Sequence, residues 1–293
     1  MANNLVLAKN YTALLDKVYM RESVTAELTG DPAMVRAGTN VNEICYPQIS
    51  VQGLGDYDRN SGYTDNSVSL DWKTTTFNYD RGTKISVDVM DNQETFDIAF
   101  GQAGGELMRT KVAPEGDAFT FATIAGKDGI SKAAPATFAD AIEFLAALIE
   151  AKNVMDEDEV PEENRLLFAT PTLINGLMAL DTYKSKEIMN AFSAVKKVPQ
   201  SRFYTGIDLL DGKSGGEEMG GFKKADGAAE INFMIIHKPA IIKYDKHIAN
   251  DIIPPSNNPN SDAYILKYRK YGIVDVYANK VAGIYLHHKP IGG

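Results

Sequence analysis

The amino-acid sequence predicts an α+β protein, and three observations carry that reading. Apolar residues alternate with polar ones at Val68, Leu70 and Trp72 and again at Ile85, Val87 and Val89, the period of a strand with one buried face. Helical spacing takes over at Phe96, Phe100, Ala103 and Leu107, and again at Phe138, Ile142, Leu145 and Ile149. Aromatic and β-branched runs at 264–277 and 281–287 return the chain to strand. With 293 residues, 44% hydrophobic and 24% charged, the chain has the make-up of a folded protein of roughly two domains. Disorder, collagen and coiled coil are excluded.

Taken in order, Tyr11, Leu14, Leu15 and Val18 recur at helical spacing, so residues 10–18 are expected to form a short amphipathic helix. Residues 29–66 are rich in Gly, Asp, Asn and Pro, with Val41, Ile44 and Ile49 too sparse to define a core, and are expected to be looped or extended. The two alternating runs that follow flank Asn78-Tyr79-Asp80-Arg81-Gly82, which predicts a long β-hairpin over 66–90. Asp91-Asn92-Gln93-Glu94 then reads as a helix start, and one long helix follows, kinked or broken at Pro114 before residues 118–124. Thr137 or Asp140 caps a helix that opens a second domain. Residues 165–169 form an apolar strand, and Thr170-Pro171 starts another helix. Further strands are expected at 203–209, 231–236 and 240–243, with a mobile Gly-, Lys- and Glu-rich loop at 211–230. The chain should close on a hairpin joined at Ala278-Asn279-Lys280. There is no internal repeat.

Charge and targeting narrow the function. The net charge is −9, and no block of Lys or Arg supplies the positive stripe of a nucleic-acid reader. No apolar stretch approaches the ~20 residues of a bilayer span. The start, Met1-Ala2-Asn3-Asn4, lacks a basic and an apolar signal region, and the single Cys45 cannot form an internal disulfide, so a cytosolic chain is expected.

Chemistry-bearing patterns are weak. Gly212-Lys213-Ser214 resembles the end of a phosphate-binding loop, but Ile207 stands where its first Gly is needed and Gly215-Gly216 oppose a following helix. His237 and His247, and the adjacent His287-His288, have no metal-ligand spacing. Cys45 has no nearby base, and the acidic run at 156–163 lacks the ligand order of a calcium loop. No catalytic, cofactor or metal residue is assigned. The feature that calls for explanation is the apolar face of the 66–90 ribbon, because a two-stranded ribbon is marginal by itself in water. Burying Trp72 removes on the order of 200 Å² from water, worth at most about 5 kcal/mol. The ribbon packs either on its own domain or on another chain.

Two segments carry a family resemblance. The run from Phe77-Asn78-Tyr79-Asp80-Arg81-Gly82 to Val87-Asp88-Val89-Met90-Asp91, followed by Gly105-Glu106-Leu107 and Arg109-Thr110-Lys111-Val112-Ala113-Pro114-Glu115-Gly116-Asp117-Ala118, resembles the major capsid proteins of tailed bacteriophages and prophages. So do Ile231-Asn232-Phe233-Met234-Ile235-Ile236-His237-Lys238 and the stretch from Tyr271-Gly272-Ile273 to Gly283-Ile284-Tyr285. The resemblance spans nearly the whole chain. It implies the shell fold shared with herpesvirus capsid floors and encapsulins: an N-terminal arm (1–45), an E-loop hairpin (46–90), a peripheral domain with a long spine helix (91–134), an axial domain (135–245) and closing peripheral strands (246–293).

The function so implied is self-assembly, without enzymatic activity, into an icosahedral head around double-stranded DNA, inside the host cytoplasm and then in the virion. Partners implied are the chain itself in pentamers and hexamers, a separate scaffolding protein, a portal and decoration proteins, with DNA held non-specifically and no membrane. Trp72, Lys73, Asp80, Arg81 and Gly82 of the E-loop, and Tyr11, Leu14 and Leu15 of the arm, are the expected assembly residues. Some such shells are crosslinked through a Lys and an Asn, and that role is left unassigned for Lys73 and Lys84. Alternatives are an encapsulin-like shell, a tail component, or an enzyme or binding domain.

Overall fold

The computed structural model describes residues 22–30, 36–37, 42–59, 62–63, 65–94 and 98–291. The helix expected at 10–18, with Tyr11, Leu14 and Leu15, lies outside them. In chain order the strands and helices begin with β1 (Arg36–Ala37), β2 (Glu43–Val51), β3 (Val68–Thr76) and β4 (Tyr79–Asp88). Helices α1 (Val89–Glu94), α2 (Ile98–Leu107) and α3 (Ala113–Ala125) follow, then β5 (Ser131–Lys132), α4 (Ala141–Glu157), β6 (Arg165–Ala169), α5 (Pro171–Ala179), α6 (Tyr183–Asn190) and β7 (Ala194–Lys197). The chain continues through β8 (Ile207–Leu209), β9 (Phe222–Lys224), β10 (Ile231–His237), β11 (Ile241–Ile253), β12 (Ala263–Val276) and β13 (Ile284–His288).

The main core is built on a five-stranded sheet of order β5-β13-β10-β6-β7. All seven residues of β10 are buried, as expected of a central strand covered on both faces. Its alternate residues divide between two layers. Phe233 and Ile235, with Leu167 and Ala169 of β6, pack under Phe144, Leu148, Ala151 and Met155 of α4 and Ile174 and Leu177 of α5. Met234 and Ile236, with Leu166 and Phe168, pack under Phe121 and Ile124 of α3. The other large sheet, β11-β12-β4, pairs two long strands as a hairpin and adds β4 at the outer edge of β12. Met108, Val112, Leu266 and Tyr268 seal it against the helical rod.

Helix signals were legible with corrections in detail. Asp140 caps α4, its Oδ1 accepting from the backbone N–H groups of Ile142 and Glu143, each at 2.9 Å. Thr170-Pro171 starts α5 as expected, and the neighbouring α6 was not anticipated. The first helix begins at Val89 rather than Asp91, and the Asp88 carboxylate accepts the N–H of Met90. At Pro114 the rod is not broken. A π-helical turn, Met108–Val112, leads directly into α3, which carries Pro114 near its start, so the wider turn takes up the proline within a continuous rod. The apolar stripe of α4 is shifted: Phe144, Leu148, Ala151 and Met155 form the core face, Phe138 and Leu145 of the expected stripe pack against it half-buried, and Ile142 is 63% exposed and Ile149 39%. Both stripes have helical spacing, so periodicity alone could not choose between them.

Both expected hairpins are incorrect, for one physical reason: alternation identifies a strand and its faces but not its partner. β3 pairs with β2, antiparallel, from Glu43↔Thr76 to Val51↔Val68. β4 pairs with β12, from Tyr79↔Gly272 to Asp88↔Ala263. The chain changes sheets at Phe77-Asn78. The Phe77 N–H donates to Asn42 O at 3.0 Å. The Asn78 side chain accepts from Val274 N at 3.1 Å and donates to Val274 O at 2.8 Å, taking a place in the ladder beside β12. Gly82 is therefore no turn residue; a Cβ there would stand 2.8 Å from Tyr268 O, so the close approach of β12 requires glycine. At the other end β12 and β13 part company, β13 joining β10 and β5 in the main sheet. Residues 29–66, expected as looped or extended, contribute β1 and β2. The strand expected at 203–209 is reduced to β8, and the glycine-rich loop carries β9, which pairs with it.

Candidate assembly surface

In an antiparallel pair, residues directly opposite share a face. The register places Pro47 beside Trp72, Ile49 beside Leu70 and Val51 beside Val68, so β2 and β3 present one continuous apolar face. It is open to solvent: Ile49 is 63% exposed, Val51 66%, Val68 67%, Leu70 52% and Trp72 49%. Beyond it Asp58 and Gly62 exchange backbone bonds of 3.1 and 2.7 Å, and the exposed rings of Tyr57 and Tyr63 stand 4.9 Å apart. Five such side chains expose on the order of 500 Å² of apolar surface, as large as the biggest patch on an ordinary monomer.

The root of the ribbon is fixed by its opposite face. Ile44 and Tyr46 are buried with Ile242 and Ile273, and Tyr46 meets Tyr277 edge-on at 4.8 Å. Thr75 donates to Asp275 at 2.7 Å, and Lys127 binds the other oxygen of that carboxylate at 2.6 Å. Burial pushes the Asp275 carboxyl up, but the bonds from Lys127 and Thr75 outweigh it and hold the group below its ordinary value. The ribbon is thus clamped at one end and apolar along its free length.

The expected assembly residues fall in different places. Trp72 lies on the apolar face. Lys73 is exposed opposite Tyr46 on the other face. Asp80, in β4, makes a two-pronged surface pair with Arg269 at 2.9 and 2.7 Å, which lowers its pKa. Arg81 turns inward: it binds Glu115 at 2.7 and 3.2 Å and Gly221 O at 3.1 Å, while Tyr79 donates to the same carboxylate at 3.1 Å. Gly82 is backbone packing. Reading the sequence missed Pro47, Ile49 and Val51. The signal was their period of two, masked because Ile44 and Tyr46 of the same strand point to the core and the phase appears to break at Pro47. Further exposed apolar side chains on the helical layer are Ile142 and Ile149 of α4, Met178 of α5 and Tyr183 of α6.

Among the described residues no group of three or more His, Cys, Asp or Glu is placed to hold a metal ion, and no helix is long and apolar enough to cross a membrane. Gly212-Lys213-Ser214 forms a turn in which Asp211 accepts from both the Lys213 and Ser214 N–H groups. Cys45 lies in β2 beside Thr74. Asp156 of the acidic run binds Lys152 and Arg165. His287 is 4% exposed, 3.1 Å from Asn232 and stacked on Phe233, and burial pushes its pKa down to about 4. A folded state that keeps this imidazole neutral has its full stability above pH 6.5 and loses it as pH falls toward 4. The melting temperature is therefore expected to drop over that window, and the drop to be shallower in His287→Asn.

No protein-family model matches the chain, and no curated protein matches it. Among solved structures it has the fold of phage capsid proteins. A chain of the mature capsid of bacteriophage PhiM1 aligns with a TM-score of 0.57 at 14% identity, covering 85% of this chain and 82% of that one. A chain from Mycobacterium phage Che8 aligns at 0.59 and 12% identity over 90% of each. A virus-like particle from Pyrococcus furiosus aligns at 0.57 and 10% identity, over 96% of this chain and 99% of that one. The shell fold expected from the resemblance is the fold of this chain.

Proposed function

We propose that the protein is the major capsid subunit of a tailed phage or prophage, assembling through pentamers and hexamers into an icosahedral head around double-stranded DNA. The observation that carries this reading is the exposed apolar face of the β2–β3 ribbon on a capsid-protein fold. Covering about 500 Å² of it stabilises an interface by an upper bound of about 12 kcal/mol, before ordering costs. In this reading the ribbon is the E-loop and lies on a neighbouring subunit, the rod from α2 to α3 is the spine helix, and the layer of α4, α5 and α6 is the axial domain, with Ile142, Ile149, Met178 and Tyr183 towards the ring axis. Such heterologous contacts close into a shell when the rotations allow. The arm, with Tyr11, Leu14 and Leu15, crosses to a neighbour. A scaffolding protein, a portal and decoration proteins are the expected partners in the virion, and the net charge of −9 suits DNA retained by confinement.

Negative-stain electron microscopy of the purified chain, with light scattering across a concentration series, tests this. Closed particles, or rings of five or six, are expected, alone or with a co-expressed scaffolding protein. A strict monomer under both conditions overturns it. A gene neighbourhood of terminase, portal and tail proteins separates a phage head from a cargo-holding shell, the second reading favoured by the likeness to the Pyrococcus particle.

A further inference from the structure

Residues 22–30 enter the body of the protein at a buried charge cluster. Asp117 of α3, fully buried, accepts from Ser23 Oγ at 2.8 Å, from the N–H groups of Val24 and Thr25 at 3.1 Å each, from Thr25 Oγ1 at 2.7 Å and from Arg202 at 3.0 Å. On the other side of Thr25 lies Lys243 of β11, 4% exposed, whose Nζ donates to Thr25 O at 2.9 Å and to Thr25 Oγ1 at 2.7 Å. The ammonium is thus met by two neutral oxygens of one residue. Lys270 of β12 adds a second buried cation, itself 3.1 Å from Asp245. Tyr79 of β4 completes the lining, and Lys238 and Lys280 share a groove with this part of β11.

We propose that Lys243 makes the seating of residues 22–30 proton-linked: the segment seats at the cost of burying an ammonium and holds more firmly as that ammonium loses its proton. Burial, followed by the charge of Lys270, pushes Lys243 down to about 8 from an ordinary 10.5, against the smaller pull of Asp117 and Asp245. A lowered lysine pKa penalises the seated state at low pH, and the penalty lifts as pH rises through 8 towards 10.5. The neutral amine keeps two N–H donors, enough for both Thr25 oxygens. With the segment displaced, Lys243 is hydrated and titrates normally. The inference concerns the single chain and does not rest on the assembly reading.

The test is amide hydrogen exchange of the full chain, expressed as protection relative to the unfolded peptide at each pH. Val24 and Thr25, whose N–H groups are held by Asp117, are expected to be less protected than Ile235 of the central strand, which marks local opening. Between pH 7 and pH 9 their protection should rise about tenfold, the linkage expected for the stated shift. In Lys243→Met it should be flat across the same range. Protection that is constant or falls with pH in the natural chain overturns the proposal. So does protection equal to that of Ile235, or the same rise in Lys243→Met. Should that variant not fold, the direction of the natural chain's profile decides.

Discussion

Replacing Leu70 and Trp72 together by Asp and Lys is expected, on the proposed capsid role, to abolish shell formation while leaving the subunit folded. The two side chains stand on the exposed face of the ribbon and contribute nothing to either core layer, so the melting temperature of the unassembled chain should stay within about 2 °C, as for ordinary surface substitutions. In a shell the same charges would be buried without partners at every copy of the contact, costing several kcal/mol each. Sedimentation and electron microscopy separate the outcomes. Normal closed shells from the double variant would remove the ribbon from the interface, and unfolding would mean that the face packs on its own subunit.

Arg81→Met has the opposite signature. The guanidinium is raised in pKa chiefly by its hydrogen bonds to Glu115, and the pair is 23% and 10% exposed at its side chains. Removing the arginine leaves a buried carboxylate with only the Tyr79 hydroxyl, a change that costs about 3 kcal/mol. For a chain of this length that lowers the melting temperature by roughly 6–12 °C. Adding Glu115→Leu to Arg81→Met should recover part of the loss, since the stranded charge goes with it. The assignment of Arg81 as an internal brace fails if Arg81→Met leaves the melting temperature unchanged while blocking assembly.

The contrast between these residues shows what the sequence made legible. Strand phase at Val68, Leu70 and Trp72 identified a face without saying what covered it, and the correct partner, β2, was hidden because its core and solvent residues sit on opposite phases. Caps such as Asp140 and the Thr170-Pro171 start were readable, being local hydrogen-bond chemistry. Pairing was not, because β4 and β12 meet through a ladder that nothing in either segment's pattern specifies. The inward turn of Arg81 depends on Glu115 reaching it across the fold, and the Asp117 cluster depends on residues 22–25, Arg202 and Lys243 arriving from three separate parts of the chain. Family resemblance supplied the fold where periodicity supplied only elements.

The change of sheets at Phe77-Asn78 also sets a timetable. Arg269 and Asp80, neighbours in the β12–β4 ladder, are separated by 189 positions. At synthesis rates of about 5–20 residues per second, β4 waits roughly 10–40 s on the ribosome for the strand that pairs with it. β2 and β3 can zip together early, but the root that aims the ribbon is incomplete until β11 and β12 emerge. The ribbon's apolar face therefore acquires a defined direction only near the end of translation, and on the proposed capsid role a subunit presents it in register only then.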